Sequence, residues 1–143
     1  MLVIEPMRDF AELAKLAAAT RSSPGSAFIA TAAGNDNRTI LVAREVQSRD
    51  ILGFAVAEKE DLDAHLLAIA VYRGRRRQGV GGALLRGVQD AMSCQGALSL
   101  DLDVRADDLR TQQFYTRFGF APAGRYEHLY PDGTDAVHMQ RPL

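Results

Sequence analysis

A glycine-rich segment lies between a strand-like run and a helix-like run in the middle of the chain. Leu66 to Val71 is apolar, and Ala83 to Met92 has the spacing of an amphipathic helix, with Gly79, Gly81 and Gly82 between them. Glycines let a ligand approach the backbone, and the N–H groups at a helix start carry partial positive charge. The segment therefore predicts a strand–loop–helix unit that binds an anionic group such as a phosphate or pyrophosphate.

Two common phosphate loops do not fit this segment. No Gly-Lys-Ser/Thr ends the loop, as a nucleotide P-loop requires, and residues 79–82 lack the Gly-x-Gly-x-x-Gly spacing of the dinucleotide fold. The pattern that is present is Arg76-x-x-Gly79-x-Gly81, which follows Ile69-Ala70-Val71. We expect these three residues to form a β-bulge.

A second motif follows downstream, Phe114-Tyr115-x-x-Phe118-Gly119-Phe120. Together with the glycine-rich loop, in this order and spacing, it resembles the GNAT superfamily of acetyl-CoA-dependent N-acetyltransferases. The resemblance spans roughly Leu66 to Leu143. Residues 102–106 further resemble the ribosomal-protein N-terminal acetyltransferase group. The resemblance implies acetyl-CoA as co-substrate, a primary amine of a protein N-terminus, a lysine or a small molecule as acceptor, and direct attack of that amine on the thioester.

The size and charge of the chain limit its class. A length of 143 residues favours a single domain, 1–143, with a core that needs no disulfide or metal. The formal net charge of −1 gives no general attraction to nucleic acid or to anionic membranes. A single cysteine, Cys94, and the absence of a signal-peptide or membrane-spanning run predict a cytoplasmic location.

The hydrophobic pattern predicts the order strand, two helices, three strands, helix, strand, helix and two strands. The two early helices are expected at about Asp9 to Ala19 and after Ser23-Pro24. This order indicates an α/β (α+β) fold of the GNAT type. Its mixed, mostly antiparallel sheet would have about seven strands, with helices on both faces. The resemblance adds a central pair of parallel strands that splay apart.

The resemblance also implies which residues hold the coenzyme. Backbone groups of the strand before the loop would hold the acetyl carbonyl and the pantetheine arm, and backbone amides of the loop would surround the pyrophosphate. A further residue, Asp108, stands where the family commonly has an asparagine, but aspartate cannot donate the amide hydrogen bond and serves equally well as a helix N-cap. The predicted coenzyme-binding residues are Ile69, Ala70, Val71, Arg76, Arg77, Gln78, Gly79, Val80, Gly81, Gly82 and Asp108.

Two residues are candidates for proton transfer. Tyr115 matches the family tyrosine that protonates the departing thiolate, although a half-buried helix tyrosine would look the same. Asp103 lies on the polar face of an alternating strand, where the related group has a glutamate base. An aspartate there could equally belong to a solvated strand face. His65, Asp101 or a water molecule are alternative bases, and Tyr126 and Tyr130 lie where related enzymes shape the acceptor pocket.

The sequence leaves rival functions open. A coenzyme-A-binding regulatory or toxin-type module with little or specialised transfer activity would share the same motifs. A nucleic-acid-binding role would rest only on the arginines near the loop, and the overall acidity argues against it. No spacing indicates a metal site, and pairing of strand edges into a homodimer is compatible with such a fold.

Overall fold

The computed structural model describes residues 1–7, 37–72 and 79–143. These residues form seven strands and two helices, which we number in chain order. The two helices predicted before residue 37, and the loop residues Arg76, Arg77 and Gln78, lie outside the described residues. The elements are β1 (Leu2–Pro6), β2 (Arg38–Glu45), β3 (Ile51–Glu60), β4 (Asp63–Val71), α1 (Val80–Cys94), β5 (Ser99–Arg105), α2 (Leu109–Arg117), β6 (Ala121–Tyr126) and β7 (Ala136–Pro142).

All seven described strands belong to one sheet, in the order β1-β2-β3-β4-β5-β7-β6. Every neighbouring pair is antiparallel except β4 and β5, which are parallel. A parallel pair needs a crossover connection, and α1 lies in that connection. The predicted mixed, mostly antiparallel seven-stranded sheet is confirmed.

Both faces of the sheet carry apolar side chains. The larger group, the helix-side core, contains Leu84, Leu85 and Met92 of α1, Leu100 and Leu102 of β5, and Tyr115 of α2. The opposite face carries a second buried group, formed by Met7, Ile40, Val42, Phe54 and Val56. Both described helices therefore pack on the same face. No helix in the described part of the chain is long and apolar enough to cross a membrane.

The sheet opens between its two parallel strands. β4 and β5 are paired only from Asp63 with Ser99 to His65 with Asp101. Beyond this point β4 stays paired with β3 as far as Val71, and β5 stays paired with β7 as far as Arg105. The two halves of the sheet thus diverge, and we call the space between them the β4–β5 gap.

The predicted β-bulge is displaced along β4. Val56 is opposite Ala68 and Ala57 is opposite Leu66, so the extra residue is Leu67. Residues 69–71 instead lie in continuous register with β3. The prediction of a bulge at Ile69-Ala70-Val71 was therefore wrong by two residues, because all of these apolar residues fit a strand pattern equally well. A bulge bends its strand and increases its twist, and this one lies next to the start of the gap.

Candidate active site

The first turn of α1 begins three residues earlier than the hydrophobic spacing predicts. Gly79 is the N-cap residue with φ 76°, and the N–H of Ala83 donates to its carbonyl oxygen at 3.0 Å. Helix geometry leaves the N–H groups of Val80, Gly81 and Gly82 without an acceptor inside the helix. Three donors and the positive end of the helix dipole thus point toward the loop.

Different structural features explain why glycine is present at each of the three positions in this turn. Gly79 has a positive φ, which only glycine adopts without strain. A Cβ on Gly82 would lie 2.8 Å from Cζ of Phe118, so a side chain there would have to displace the Phe118 ring. A Cβ on Gly81 would meet its nearest neighbour, Phe114 Cζ, at an ordinary 3.5 Å. Internal packing therefore explains Gly82 but not Gly81, where the absence of a side chain favours close approach by a ligand.

The β4–β5 gap exposes backbone groups of β4. The N–H of Tyr72 donates to the carbonyl oxygen of Leu52 on β3 at 2.9 Å. In an antiparallel pair, successive residues alternate in the direction of their backbone groups. The groups of Ala70 therefore point toward β3, and those of Ile69 and Val71 point toward the gap. Of the three β4 residues predicted to contact coenzyme, these two can offer donors and acceptors there.

Tyr115 lies on the helix side of the sheet, beside Phe114, whose ring faces Gly81 in the first turn of α1. Its side chain is only 6% exposed and makes edge-to-face ring contacts with Phe114 and Phe120. Burial raises the pKa of Tyr115 to about 12, and the nearby Asp108 and Tyr130 add to the shift. The hydroxyl is therefore protonated at neutral pH and is available as a donor.

Asp103 lies on the opposite face of the sheet from Tyr115. It alternates along β5 with Leu102 and Val104, which belong to the helix-side core. Its side chain is 40% exposed, and its Oδ1 lies 2.8 Å from Nδ1 of His138 on β7. The two candidates for proton transfer are thus separated by the plane of the sheet, which the β4–β5 gap interrupts.

Asp103 is one end of a row of four ionisable side chains on this face. His138 lies between it and Asp101, with Nε2 3.7 Å from Asp101 Oδ2. The other oxygen of Asp101, Oδ1, lies 2.5 Å from Nδ1 of His65. We call His65, Asp101, His138 and Asp103 the polar row. It crosses three strands, β4, β5 and β7, beside the closed end of the gap.

The connection between β6 and β7 brings Tyr130 next to Arg105, at the end of β5. Arg105, at the end of β5, donates to Asp132 at 2.5 Å and to Thr134 at 2.8 Å, and its guanidinium lies 5.0 Å from the Tyr130 ring centre. The pKa of Tyr130 is raised by burial and also by the charge of Asp103. Tyr130 therefore lies within electrostatic reach of both candidates for proton transfer, Asp103 and Tyr115.

Asp108 has a structural role at the start of α2. Its Oδ1 accepts from the backbone N–H of Thr111 at 3.1 Å, and its Oδ2 accepts from the Thr111 hydroxyl at 2.7 Å. These hydrogen bonds hold the pKa of Asp108 below its usual range. The N-cap interaction accounts for this aspartate without a coenzyme, and contact with coenzyme stays a prediction.

A basic groove of about 780 Å³ runs along the outer side of α1 and α2. Its lining includes three arginines, Arg86, Arg117 and Arg141, together with Phe118 and one acidic residue, Asp90. Arg86 sits 5.2 Å from the Phe118 ring centre, and Arg141 donates to the Phe118 carbonyl at 2.6 Å. Three guanidinium groups make this groove suitable for an anion. Among the described residues, no group of three or more acidic, histidine or cysteine side chains could hold a metal ion.

Sequence reasoning did not assign roles to His138 and Arg105. The register of β5 against β7 brings His138 beside Asp103, 35 residues away in sequence. Arg105 has one partner close in sequence, Asp107, but its contacts with Asp132 and Thr134 depend on the fold of the β6–β7 connection. The alternation of Asp101 and Asp103 showed that a polar face exists. It did not show which strand would lie beside it.

Comparison with known proteins gives one family. A model of the acetyltransferase (GNAT) family matches residues 5–120. The [ribosomal protein bS18]-alanine N-acetyltransferase of Escherichia coli (strain K12) is 33% identical over 116 residues, covering 79% of this chain and 78% of that protein.

Comparison with solved structures finds acetyltransferases with the same fold. The structure of the ribosomal-protein-S18-alanine N-acetyltransferase from Escherichia coli superposes with a TM-score of 0.81 at 29% identity, covering 99% of this chain and 94% of that one. Arabidopsis thaliana NAA60, in complex with acetyl-CoA, shares the fold with a TM-score of 0.83 at 16% identity, covering 100% of this chain and 99% of that one. The chain therefore belongs to the acetyltransferase (GNAT) family of N-acetyltransferases.

Proposed function

We propose that this protein transfers the acetyl group of acetyl-CoA to the α-amine at the N-terminus of a protein or peptide. The observation that carries the proposal is the β4–β5 gap, which lies beside the free N–H groups of α1 and between Tyr115 and Asp103. The matched Escherichia coli relative is named for acetylation of an alanine of a ribosomal protein, which supports this acceptor class.

In the proposed complex the coenzyme lies along three parts of the site. The pyrophosphate accepts hydrogen bonds from the N–H groups of Val80, Gly81 and Gly82. The pantetheine arm follows the gap and pairs with the backbone of Ile69 and Val71. Arg86 is six residues from the start of α1, about 9 Å along the helix axis, so the basic groove can receive the phosphate on the ribose.

The reaction requires a neutral amine, a polarised carbonyl and stabilisation of the departing thiolate. Asp103 takes a proton from the ammonium group, directly or through water, and the neutral amine attacks the thioester carbon. A backbone N–H of β4 donates to the carbonyl oxygen as it gains negative charge. After attack the nitrogen loses its second proton to water, the C–S bond breaks, and the Tyr115 hydroxyl donates a hydrogen bond to the departing thiolate. Because burial raises the pKa of Tyr115 to about 12, a hydrogen bond contributes more than complete proton transfer to a thiolate of pKa ~8.5.

The coenzyme site is tested by two variants of one residue, Gly81→Glu and Gly81→Gln. Both place a side chain of the same size beside the pyrophosphate, and only the first adds a negative charge. With an effective dielectric constant of 20, two unit charges about 5 Å apart repel by about 3 kcal/mol. We expect micromolar binding of acetyl-CoA to the wild type and roughly hundredfold weaker binding to Gly81→Glu than to Gly81→Gln in calorimetric titration.

Thermal unfolding supplies the control for this pair. A glutamate in the first turn of a helix is favoured by the helix dipole, so Gly81→Glu should unfold no more easily than Gly81→Gln. Equal affinity of the two variants for acetyl-CoA would exclude the start of α1 as the pyrophosphate site. Absence of acetyl-CoA binding in the folded wild type would exclude the whole proposal.

The acceptor class is tested with two peptides. One has a free N-terminal alanine and no lysine, and the other has a blocked N-terminus and one internal lysine. Mass spectrometry after incubation with acetyl-CoA should find the acetyl group on the α-amine of the first peptide. Acetylation of the lysine peptide alone would reassign the acceptor.

The alternative of a coenzyme-A-binding module with little transfer activity is not favoured by the family match or by the named relatives. We place the reaction in a reducing cytoplasm, in line with the single cysteine, Cys94, which is exposed and free.

A further inference from the structure

We infer that His138 is a positioning residue for Asp103, held in place by the rest of the polar row. The inference rests on the proposed role of Asp103 as the base, and it assigns a role to a residue outside both sequence motifs.

The register of the sheet brings His138 beside Asp103. Asp103 and His138 are direct partners in the antiparallel β5–β7 pair, so their side chains lie on the same face. Nδ1 of His138 lies 2.8 Å from Oδ1 of Asp103. An ionised carboxylate is an acceptor only, so Nδ1 must carry the proton in this contact. The hydrogen bond therefore selects one ring tautomer of His138.

The imidazole ring of His138 is held on several sides. Its Nε2 lies 3.7 Å from Asp101 Oδ2, and the ring of Tyr126 on β6 contacts it edge to face, with centroids 5.6 Å apart. Asp101 is itself fixed by Nδ1 of His65 at 2.5 Å. His138 is only 20% exposed and Asp101 only 18%, so both are largely shielded from water. The donor that faces Asp103 is thus more rigid than a surface side chain.

The contact with His138 engages one of the two carboxylate oxygens of Asp103. With Oδ1 engaged by His138, Oδ2 is the atom left to face an ammonium group. The Asp103 side chain is 40% exposed and has two rotatable bonds. Without the hydrogen bond from His138, its carboxylate would therefore sample several orientations. A misplacement of about 1 Å at a reacting group can lower a rate roughly a hundredfold. His138 therefore acts on the reaction through the orientation of Asp103.

Four variants test this assignment. His138→Leu keeps the bulk and removes the donor. His138→Asn keeps a donor close to the position of Nδ1, and Asp103→Asn removes the base. The double variant His138→Leu/Asp103→Asn asks whether one residue acts through the other. For each variant, kcat, the KM for the peptide, the Kd for acetyl-CoA and the melting temperature are measured.

We expect His138→Leu to lower kcat at least about tenfold with acetyl-CoA affinity unchanged, and His138→Asn to keep kcat within about threefold of the wild type. The double variant should be no slower than Asp103→Asn alone, because two residues that act as a unit are not additive. Equal loss in His138→Leu and His138→Asn, or additive losses in the double variant, would show a merely structural role and overturn the inference.

Different results would contradict Asp103 as the base and His138 as its positioning residue. Full activity of Asp103→Asn would overturn the base and, with it, the role of His138. A slow Asp103→Asn beside a fully active His138→Leu would overturn the positioning role alone.

A readout that needs no acceptor comes from nuclear magnetic resonance of the ring nitrogens. Neutral His138 should carry its proton on Nδ1 in the wild type, and on Nε2, the usual tautomer, in Asp103→Ala. An Nε2–H tautomer in the wild type would contradict the inference whatever the activity.

Discussion

At the scale of single residues, environment gives the same side-chain type different tasks. Tyr115 and Tyr130 are both phenols of the candidate site, but Tyr115 is 6% exposed, whereas Tyr130 lies on a turn that Arg105 holds through Asp132 and Thr134. Asp108 and Asp103 are both aspartates near the site. The first has both oxygens engaged by Thr111, whereas the second has one oxygen available. Hydrogen-bond partners, more than residue type, thus separate structural from reactive groups.

The role of Tyr115 predicts a specific kinetic change in Tyr115→Phe. We expect kcat to fall roughly a hundredfold while the Kd for acetyl-CoA stays unchanged. The rings of Phe114 and Phe120 would keep their contacts with the phenylalanine, so the melting temperature should change little.

The raised pKa of Tyr115 adds a condition on pH. Because its pKa is about 12, the phenol keeps its proton from pH 6 to 10, and the ratio of wild-type to Tyr115→Phe rates should be constant over that range. A ratio that falls near pH 10 would mean that Tyr115 titrates like an exposed tyrosine.

At the scale of elements, α1 and α2 differ in what accepts hydrogen bonds from the N–H groups of their first turns. The side chain of Asp108 accepts from one N–H group in the first turn of α2, that of Thr111, whereas the N-cap of α1, Gly79, has no side chain to accept from α1. A helix start without a side-chain cap leaves more of its N–H groups for a ligand than a capped one does. This difference supports the proposal that α1, and not α2, faces the coenzyme.

The N-cap assignment predicts the behaviour of Asp108 variants. Asp108→Ala should lower the free energy of unfolding by about 1 kcal/mol, and Asp108→Asn should recover most of it. Neither change should alter the Kd for acetyl-CoA. A loss of acetyl-CoA affinity in Asp108→Ala, with stability unchanged, would restore Asp108 as a coenzyme contact.

Sequence patterns predicted the described elements well because their periodicities are strong. Alternation along β5 identified its polar and apolar faces, and the glycine loop located the start of α1 to within three residues. What could not be predicted depends on packing between distant segments. The bulge at Leu67 lies within an apolar run without any marker, and the contact between Asp103 and His138 depends on strand register.

At the scale of the whole molecule, we propose that residues 1–143 fold as one domain around the single sheet. The row of charges that crosses three strands then couples stability to pH. Burial of the His65 ring lowers its pKa, but the hydrogen bond and charge of Asp101, with the charges of Glu60 and Asp63, outweigh it, and the net pKa is raised.

This shift predicts a pH dependence with a definite sign. A histidine pKa raised by folding stabilises the fold below the unfolded value of ~6.5, and the contribution is lost as pH rises through the folded-state pKa. The free energy of unfolding of His65→Asn, measured in urea, should therefore differ more from the wild type at pH 5.5 than at pH 8.5. A difference that grows with pH would show that burial dominates.

The β4–β5 gap also changes where the sheet is vulnerable to aggregation. Unpaired strand backbone usually lies at the rim, where other chains can pair with it. The two rim strands of the described sheet carry features that discourage such pairing. β1 has Glu5 and ends at Pro6, and β6 has Pro122 and an irregular register before Gly124.

The unpaired stretch of β4, by contrast, lies in the middle of the sheet between β3 and the diverging β5. No rim of the sheet is formed there, so a second molecule would have to enter the gap to reach it. Residues 66–71 can thus be entirely apolar, without the charges or prolines that an outer strand would need. Because the gap opens inside the sheet, a thin ligand can reach the unpaired N–H and C=O groups of β4. An edge strand of a second copy of the protein cannot pair with them.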